Sequence, residues 1–150
     1  MKEIKIKFND FPFWFQKKTK HFSNENKKQF LNSFYTQPDI HIVFKNEDRL
    51  NSFDEKLIKT SSVSGFLLNN IDIKNIKTFK DGDWWVQDFS SFFPLNNFKD
   101  YNKGKKFLDA CAAPGGKSFQ LLSKNFNVDL NDISKIRINT LKSNLKRLSF

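Results

Sequence analysis

The 150-residue sequence holds a single cysteine, Cys111, which excludes an internal disulfide framework and makes a reducing cytoplasm the expected compartment. No apolar run approaches the ~20 residues that carry a helix across a bilayer, so neither a membrane span nor a membrane partner is expected. The opening Met1-Lys-Glu-Ile-Lys-Ile-Lys7 alternates charged and apolar residues and lacks the core and cleavage site of a signal peptide. His21 and His41 are too isolated for a metal site or an acid/base pair, and no metal is expected. There is no internal repeat and no low-complexity linker.

What the chain has is aromatic and basic. Its 19 phenylalanines provide material for a real core and argue against wholesale disorder. A formal charge of +10 points to a polyanionic partner, nucleic acid before an acidic membrane surface. An AT-rich coding bias toward Lys, Asn, Ile and Phe explains the same composition. The basic residues are also scattered: Lys17, Lys18 and Lys20, then Lys27 and Lys28, Lys103, Lys105 and Lys106, and finally Lys142, Lys146 and Arg147. Only folding can gather them.

Along the chain, Phe11 to Phe22 reads as a short helix with Pro12 in its first turn. Ser23 is an N-cap for a second helix over Glu25 to Phe34. Ile40-His-Ile-Val-Phe44 has the β-branched content of a strand. Asp48 to Ile58 carries Leu50, Phe53, Leu57 and Ile58 near helical spacing, and short strands are expected at Gly65 to Leu68 and Ile76 to Phe79. Asp81-Gly-Asp83 is a turn leading into Trp84-Trp-Val86. From Lys106 the pattern becomes strand, Pro-Gly-Gly turn, helix to about Lys124, strand over Phe126 to Leu130, and a long helix. Asp132 or Ser134 caps that helix, and Ile136, Ile138, Leu141, Leu145 and Leu148 form its apolar side. This order opens a doubly wound parallel α/β sheet, in which ligands bind beyond the carboxyl ends of the strands.

The turn after Ala110 has the properties of a ligand loop. Gly115 and Gly116 let the backbone turn sharply and approach a ligand, Pro114 stiffens the entry, and the following helix start suits an anion. Asp132, after the second strand, stands where a carboxylate accepts from a ribose diol, with Asp129 as the competing choice. These features describe a nucleoside with an anionic portion. On geometry NAD, ATP and S-adenosylmethionine all stay open.

Asp109-Ala-Cys-Ala-Ala-Pro-Gly-Gly-Lys-Ser118 resembles the cofactor loop of the Sun/RsmB family of RNA cytosine-C5 methyltransferases. Asp132-Ile-Ser-Lys-Ile-Arg-Ile138, running on to Asn144-Leu-Lys-Arg-Leu148, is similar to that family's second motif. Val86-Gln-Asp-Phe-Ser-Ser91 looks like its Val-Gln-Asp-x-Ser-Ser element. Phe11-Pro-Phe-Trp14 and Ile40 to Phe44 resemble, more loosely, the start of its small RNA-contacting subdomain. Phe44-Lys-Asn46 departs from the usual Arg-x-Asn there.

The resemblance implies an α/β chain with a small α+β RNA-contacting subdomain and a lead-in over residues 1–100. Residues 101–150 would begin a Rossmann-like methyltransferase domain, cut short at Phe150. It implies S-adenosyl-L-methionine as cofactor, bound by Cys111, Ala112, Ala113, Pro114, Gly115, Gly116, Lys117 and Asp132, and ribosomal RNA as partner of a monomer. Asp109 either orients the cofactor's amino group or organises the turn. Gln87 and Asp88 are candidates for the pocket wall, and Asp88 is equally a helix N-cap.

C5 methylation of cytosine needs a thiolate to add at C6, so that the resulting enamine can take the methyl group before a base removes the C5 proton. In the family the reactive thiols lie in Pro-Cys and Thr-Cys motifs, and neither occurs here. Cys111 is therefore expected to be a small residue packed behind the loop, with catalytic residues beyond Phe150. A ribose 2′-O-methyltransferase and a non-catalytic RNA-binding remnant are the rival readings. The first typically has Gly at the position of Cys111 and Trp at that of Lys117. Trp14, Trp84 and Trp85 either stack on bases or are buried, and burial is the expectation.

Overall fold

A computed structural model describes residues 6–68, 71–99 and 104–150. The boundary expected at residues 100/101 and Lys103 lie outside them. The chain divides into two compact units, Met1–Pro38 and Asp39–Phe150.

The first unit is a 3-10 turn, Phe8–Asp10, followed by helices α1 (Phe13–Lys18) and α2 (Asn24–Ser33). Pro12 stands at the N-cap of α1, and the helix ends well before Phe22. At Thr19 the hydroxyl donates to the Phe15 carbonyl at 2.8 Å, a side-chain bond that competes with continuation of the helix. Ser23 caps α2 by accepting from the Asn26 N–H at 3.1 Å. Phenylalanine rings hold the unit together: Phe15 lies 5.0 Å from Phe11 and 5.3 Å from Phe30 between centroids, within the range favoured by aromatic pairs.

The second unit is built on an antiparallel sheet ordered β2-β3-β1-β4, from β1 (His41–Phe44), β2 (Leu57–Ser61), β3 (Ser64–Leu67) and β4 (Trp84–Val86). β1 is central and buried at every position. Its alternating side chains feed two cores: Val43 joins Trp85, Phe92, Phe119, Leu141 and Leu148, while Ile42 and Phe44 join Leu50, Leu67, Ile76 and Trp84. Trp84 and Trp85 are thus core residues, 0% and 2% exposed.

Two sequence expectations give way here. The helix expected over Asp48 to Ile58 is only α3 (Glu47–Asn51), capped by Asn46. Leu57 and Ile58 belong to β2, paired with Leu67 and Phe66, because the outer edge of β3 offers a ladder that outweighs their helical spacing. The strand expected at Ile76 to Phe79 is instead a 3-10 turn, Lys77–Phe79. β3 and β4 occupy both edges of β1, and Ile76 enters the core as a plug, 4% exposed.

After α4 (Phe89–Asn96) come β5 (Lys106–Asp109), α5 (Gly116–Leu122), β6 (Asn127–Leu130) and α6 (Lys135–Leu148). β5 and β6 pair in parallel, Asp109 opposite Leu130. These are two β-α units of a Rossmann-like sheet. Ser134, and not Asp132, caps α6. Leu141 and Leu148 are buried on its apolar side, whereas Ile136 lies off that stripe and is 81% exposed.

Candidate cofactor cavity

β5 ends at Asp109, whose carboxylate organises the turn that follows. One oxygen accepts from the Cys111 N–H at 3.2 Å and the other from the Ser118 hydroxyl at 2.6 Å. The loop is then tied down from the β6–α6 side. The Ala112 N–H donates to the Asn131 carbonyl at 2.8 Å, and the Ala113 N–H to Asp132 Oδ2 at 3.1 Å. The Arg137 guanidinium donates to the Ala113 carbonyl, and Asn144 Nδ2 to the Pro114 carbonyl at 3.0 Å. The Ala113–Pro114 peptide is cis. Gly115 has φ +124°, and a Cβ there would stand 1.8 Å from the Phe119 ring. Backbone conformation and packing both demand glycine at that position.

The facing wall comes from the end of β4 and the start of α4. Gln87 is buried, and both ends of its amide are hydrogen-bonded: Oε1 accepts from Trp85 Nε1 at 2.9 Å, and Nε2 donates to Gln120 Oε1 at 2.8 Å. Gln120 Nε2 in turn donates to the Phe92 carbonyl at 3.1 Å, so one chain of amides joins β4, α5 and α4. The Gln87 backbone carbonyl accepts from His41 Nδ1 at 2.8 Å. A carbonyl can only accept, so the neutral ring carries its proton on Nδ1 and Nε2 accepts from the Thr60 hydroxyl at 2.9 Å. Burial lowers the His41 pKa below its ordinary value, opposed by the Gln87 hydrogen bond and by the nearby Asp88 charge.

Asp88 caps α4, accepting from the Ser90 hydroxyl and from the Ser90 and Ser91 N–H groups at 2.9 and 3.3 Å. The Ser90 hydroxyl contact is the main cause holding its carboxyl below the usual range. Lys117 crosses from α5 to donate to Ser91 Oγ at 2.9 Å.

Between these walls lies a half-open cavity of about 260 Å³. Cys111, Ala112, Ala113, Pro114, Gly116 and Lys117 line it, together with Val86, Gln87, Asp88, Ser91 and Asp109. Both alternatives for Asp88 thus coexist, since it caps α4 and borders the cavity. Cys111 is exposed at the cavity rim and is not packed behind the loop. Its N–H is the part held inward, by Asp109.

Gly115 and Asp132 are not among the lining residues. Asp132 is buried and turned to the backbone: Oδ1 accepts from the Ser134 N–H at 3.0 Å, Oδ2 from Ala113, and Arg137 lies 3.6 Å away. The Ser134 and Ala113 N–H groups, followed by the Arg137 charge, lower its pKa. Asp129 points elsewhere, into an exposed ion pair with Lys106 at 2.8 Å.

Gln120, Arg137 and Asn144 were not legible as site residues, because single polar residues on helices read as solvated positions. Their partners are loop carbonyls and a buried amide, brought near only by folding. Arg147 likewise leaves the set of free cations. Its guanidinium donates to the Phe79 carbonyl at 2.9 Å and the Trp84 carbonyl at 3.1 Å, with its plane over the Phe79 ring.

Residues 98–150 match the family model for 16S rRNA methyltransferase RsmB/F. Over those residues the chain is similar to the RsmB/F methyltransferases. Ribosomal RNA small subunit methyltransferase B of Photorhabdus laumondii is 42% identical over 73 residues, covering 47% of this chain and 17% of that protein. The protein of the same description from Serratia proteamaculans is 36% identical over 84 residues, covering 55% of this chain and 19% of its own length. The chain therefore spans under a fifth of these curated relatives. In fold, it superposes on a crystallised methyltransferase homolog protein from Pyrococcus horikoshii with a TM-score of 0.72 at 20% identity, covering 93% of this chain and 50% of that one. The RsmB/F match contains β5, the loop, α5, β6 and α6 entire.

Proposed function

We propose that this chain supplies the S-adenosyl-L-methionine loop of a cytoplasmic rRNA methyltransferase that forms 5-methylcytosine. The observation that carries the reading is the cavity between the Cys111–Lys117 loop and Asp88, within and beside the stretch of RsmB/F sequence. Its donor set suits a zwitterionic amino acid end: the Lys117 ammonium for a carboxylate, and the Asp88 and Asp109 carboxylates for an ammonium group. At about 260 Å³ it falls just below the ~300–1,000 Å³ of ordinary small-molecule sites, which suits part of a nucleoside cofactor. Bound there, S-adenosylmethionine supplies an electrophilic methyl group on its sulfonium. Asp132 then acts by holding Ala113, and through its remaining lone pairs it is the carboxylate offered to a ribose diol.

The deciding test joins this chain to a family segment bearing Pro-Cys and Thr-Cys motifs and locates labelled methyl transferred to RNA. Label at C5 of cytosine is expected, and label on a ribose oxygen overturns the reading. By calorimetry on the same protein, Asp132→Ala weakens cofactor binding about tenfold or more, and Asp129→Ala by much less. The reverse order would move the ribose contact.

A further inference from the structure

Ser118 is not among the residues that line the cavity, yet it fixes a group that is. It stands on α5 with 0% of its surface exposed, and its hydroxyl donates its one proton to Asp109 Oδ2 at 2.6 Å. The other oxygen of that carboxylate accepts from the Cys111 N–H at 3.2 Å, and Asp109 itself lines the cavity. The last torsion of an aspartate is broad, so a carboxylate held at one oxygen swings. Held at both, its plane is set, and about two of its four lone-pair sites are left for a ligand.

Asp88, the other carboxylate assigned to an ammonium group above, is arranged differently. Its bonds to Ser90 and Ser91 all fall on Oδ1, and the residue is exposed. Asp109 is half-buried. A charge contact is weaker in open water than where solvent is partly excluded, which favours Asp109 as the partner of a cation.

We propose that Ser118 is a positioning residue for the cofactor: by holding Asp109 in the cavity wall, it makes that carboxylate the acceptor of the ammonium group at the methionine end. This rests on the cofactor reading above and gives it a residue that sets selectivity for the ammonium group. Ser118 itself touches no ligand and acts through Asp109.

The test compares S-adenosylhomocysteine with its desamino analogue, which carries hydrogen in place of the amino group. The full chain is titrated with each by calorimetry, and the ratio of the two affinities is the readout. The wild type is expected to prefer S-adenosylhomocysteine about ten- to 150-fold, the range of a charged hydrogen bond. Ser118→Ala cuts that ratio about two- to tenfold, and the desamino analogue binds as it does to the wild type. Ser118→Thr keeps the hydroxyl and restores the ratio. Ser118→Cys fills nearly the same space with a weak donor, and gives a second reading if the alanine variant loses its circular dichroism. Asp109→Asn abolishes the preference.

The proposal is overturned if the alanine and cysteine variants keep the wild-type ratio, which includes weakening both ligands alike, the result of a merely structural role. It is also overturned if the wild type binds the two ligands equally, or if Asp88→Asn and not Asp109→Asn abolishes the preference. In each of these cases the nucleoside still binds and the cofactor reading stands. A wild type that binds neither ligand overturns the cofactor reading and the proposal with it.

Discussion

The antiparallel sheet and the parallel pair in the second unit hide very different fractions of themselves. β1 is buried at all four positions, between β3 and β4 and between two clusters of aromatic and aliphatic side chains. β5 and β6 alternate exposed with half-buried positions, and Leu108 in β5 is 70% exposed although parallel strands are ordinarily covered on both faces. The Cys111–Lys117 loop springs from this lightly covered pair. Its order comes from Asp109 at the end of β5, from Asp132, Arg137 and Asn144 on the β6–α6 side, and from the Gln87 network opposite. Apolar burial around β1 reaches the loop, because Ala112, Ala113 and Phe119 share the Val43 core, and side-chain hydrogen bonds then fix the loop's geometry.

The contrast can be broken most forcefully at Phe44. Phe44→Ala empties a fully buried ring from the antiparallel core and should cost about 3–5 kcal/mol in denaturant unfolding. A loss below about 1 kcal/mol would show that β1 is not the stability centre. Gln87→Leu comes next. It strands the Trp85 N–H and the Gln120 amide, for about 1–3 kcal/mol, and should weaken cofactor binding together with stability. Unchanged affinity would separate the network from the site.

His41 gives a smaller effect that depends on pH. Because burial holds its folded pKa below the ordinary value of 6.5, the native state refuses a proton that the unfolded chain accepts. Stability is complete above about pH 6.5 and declines as pH falls toward the folded value, by at most about 1.4 kcal/mol per pH unit. Thermal unfolding between pH 7.5 and 5 should show this decline, and His41→Gln should flatten it. The smallest effect is expected at Leu108. Leu108→Ala in the parallel pair should change stability by no more than about 0.5 kcal/mol, and a larger loss would mean that β5 is covered in solution.

The position of the candidate loop was legible from residue types alone. Gly115 and Gly116 behind Pro114, flanked by a strand and a helix, mark the loop by local backbone requirements alone, and Ser23 and Ser134 announce the starts of α2 and α6 in the same local way. Helical spacing misled over Asp48 to Ile58, because an apolar i, i+3, i+4 pattern and one face of a short strand share residue types. Only the free edge of β3 decided between them. Trp14 shows the converse. All three tryptophans look alike in sequence, and two became core while one stayed in solvent, according to which cluster each strand or helix faced.

By itself the sequence determined the loop and its flanking strand and helix, because each of these depends on residue identity at short range. Tertiary structure alone decided that Asp132 braces the loop from beneath, that Cys111 stands at the rim, and that Gln87, Gln120, Arg137 and Asn144 hold the walls. Those roles are hydrogen bonds between residues 19 to 33 positions apart or from helix to loop, and such partners are chosen by packing, which no local pattern encodes.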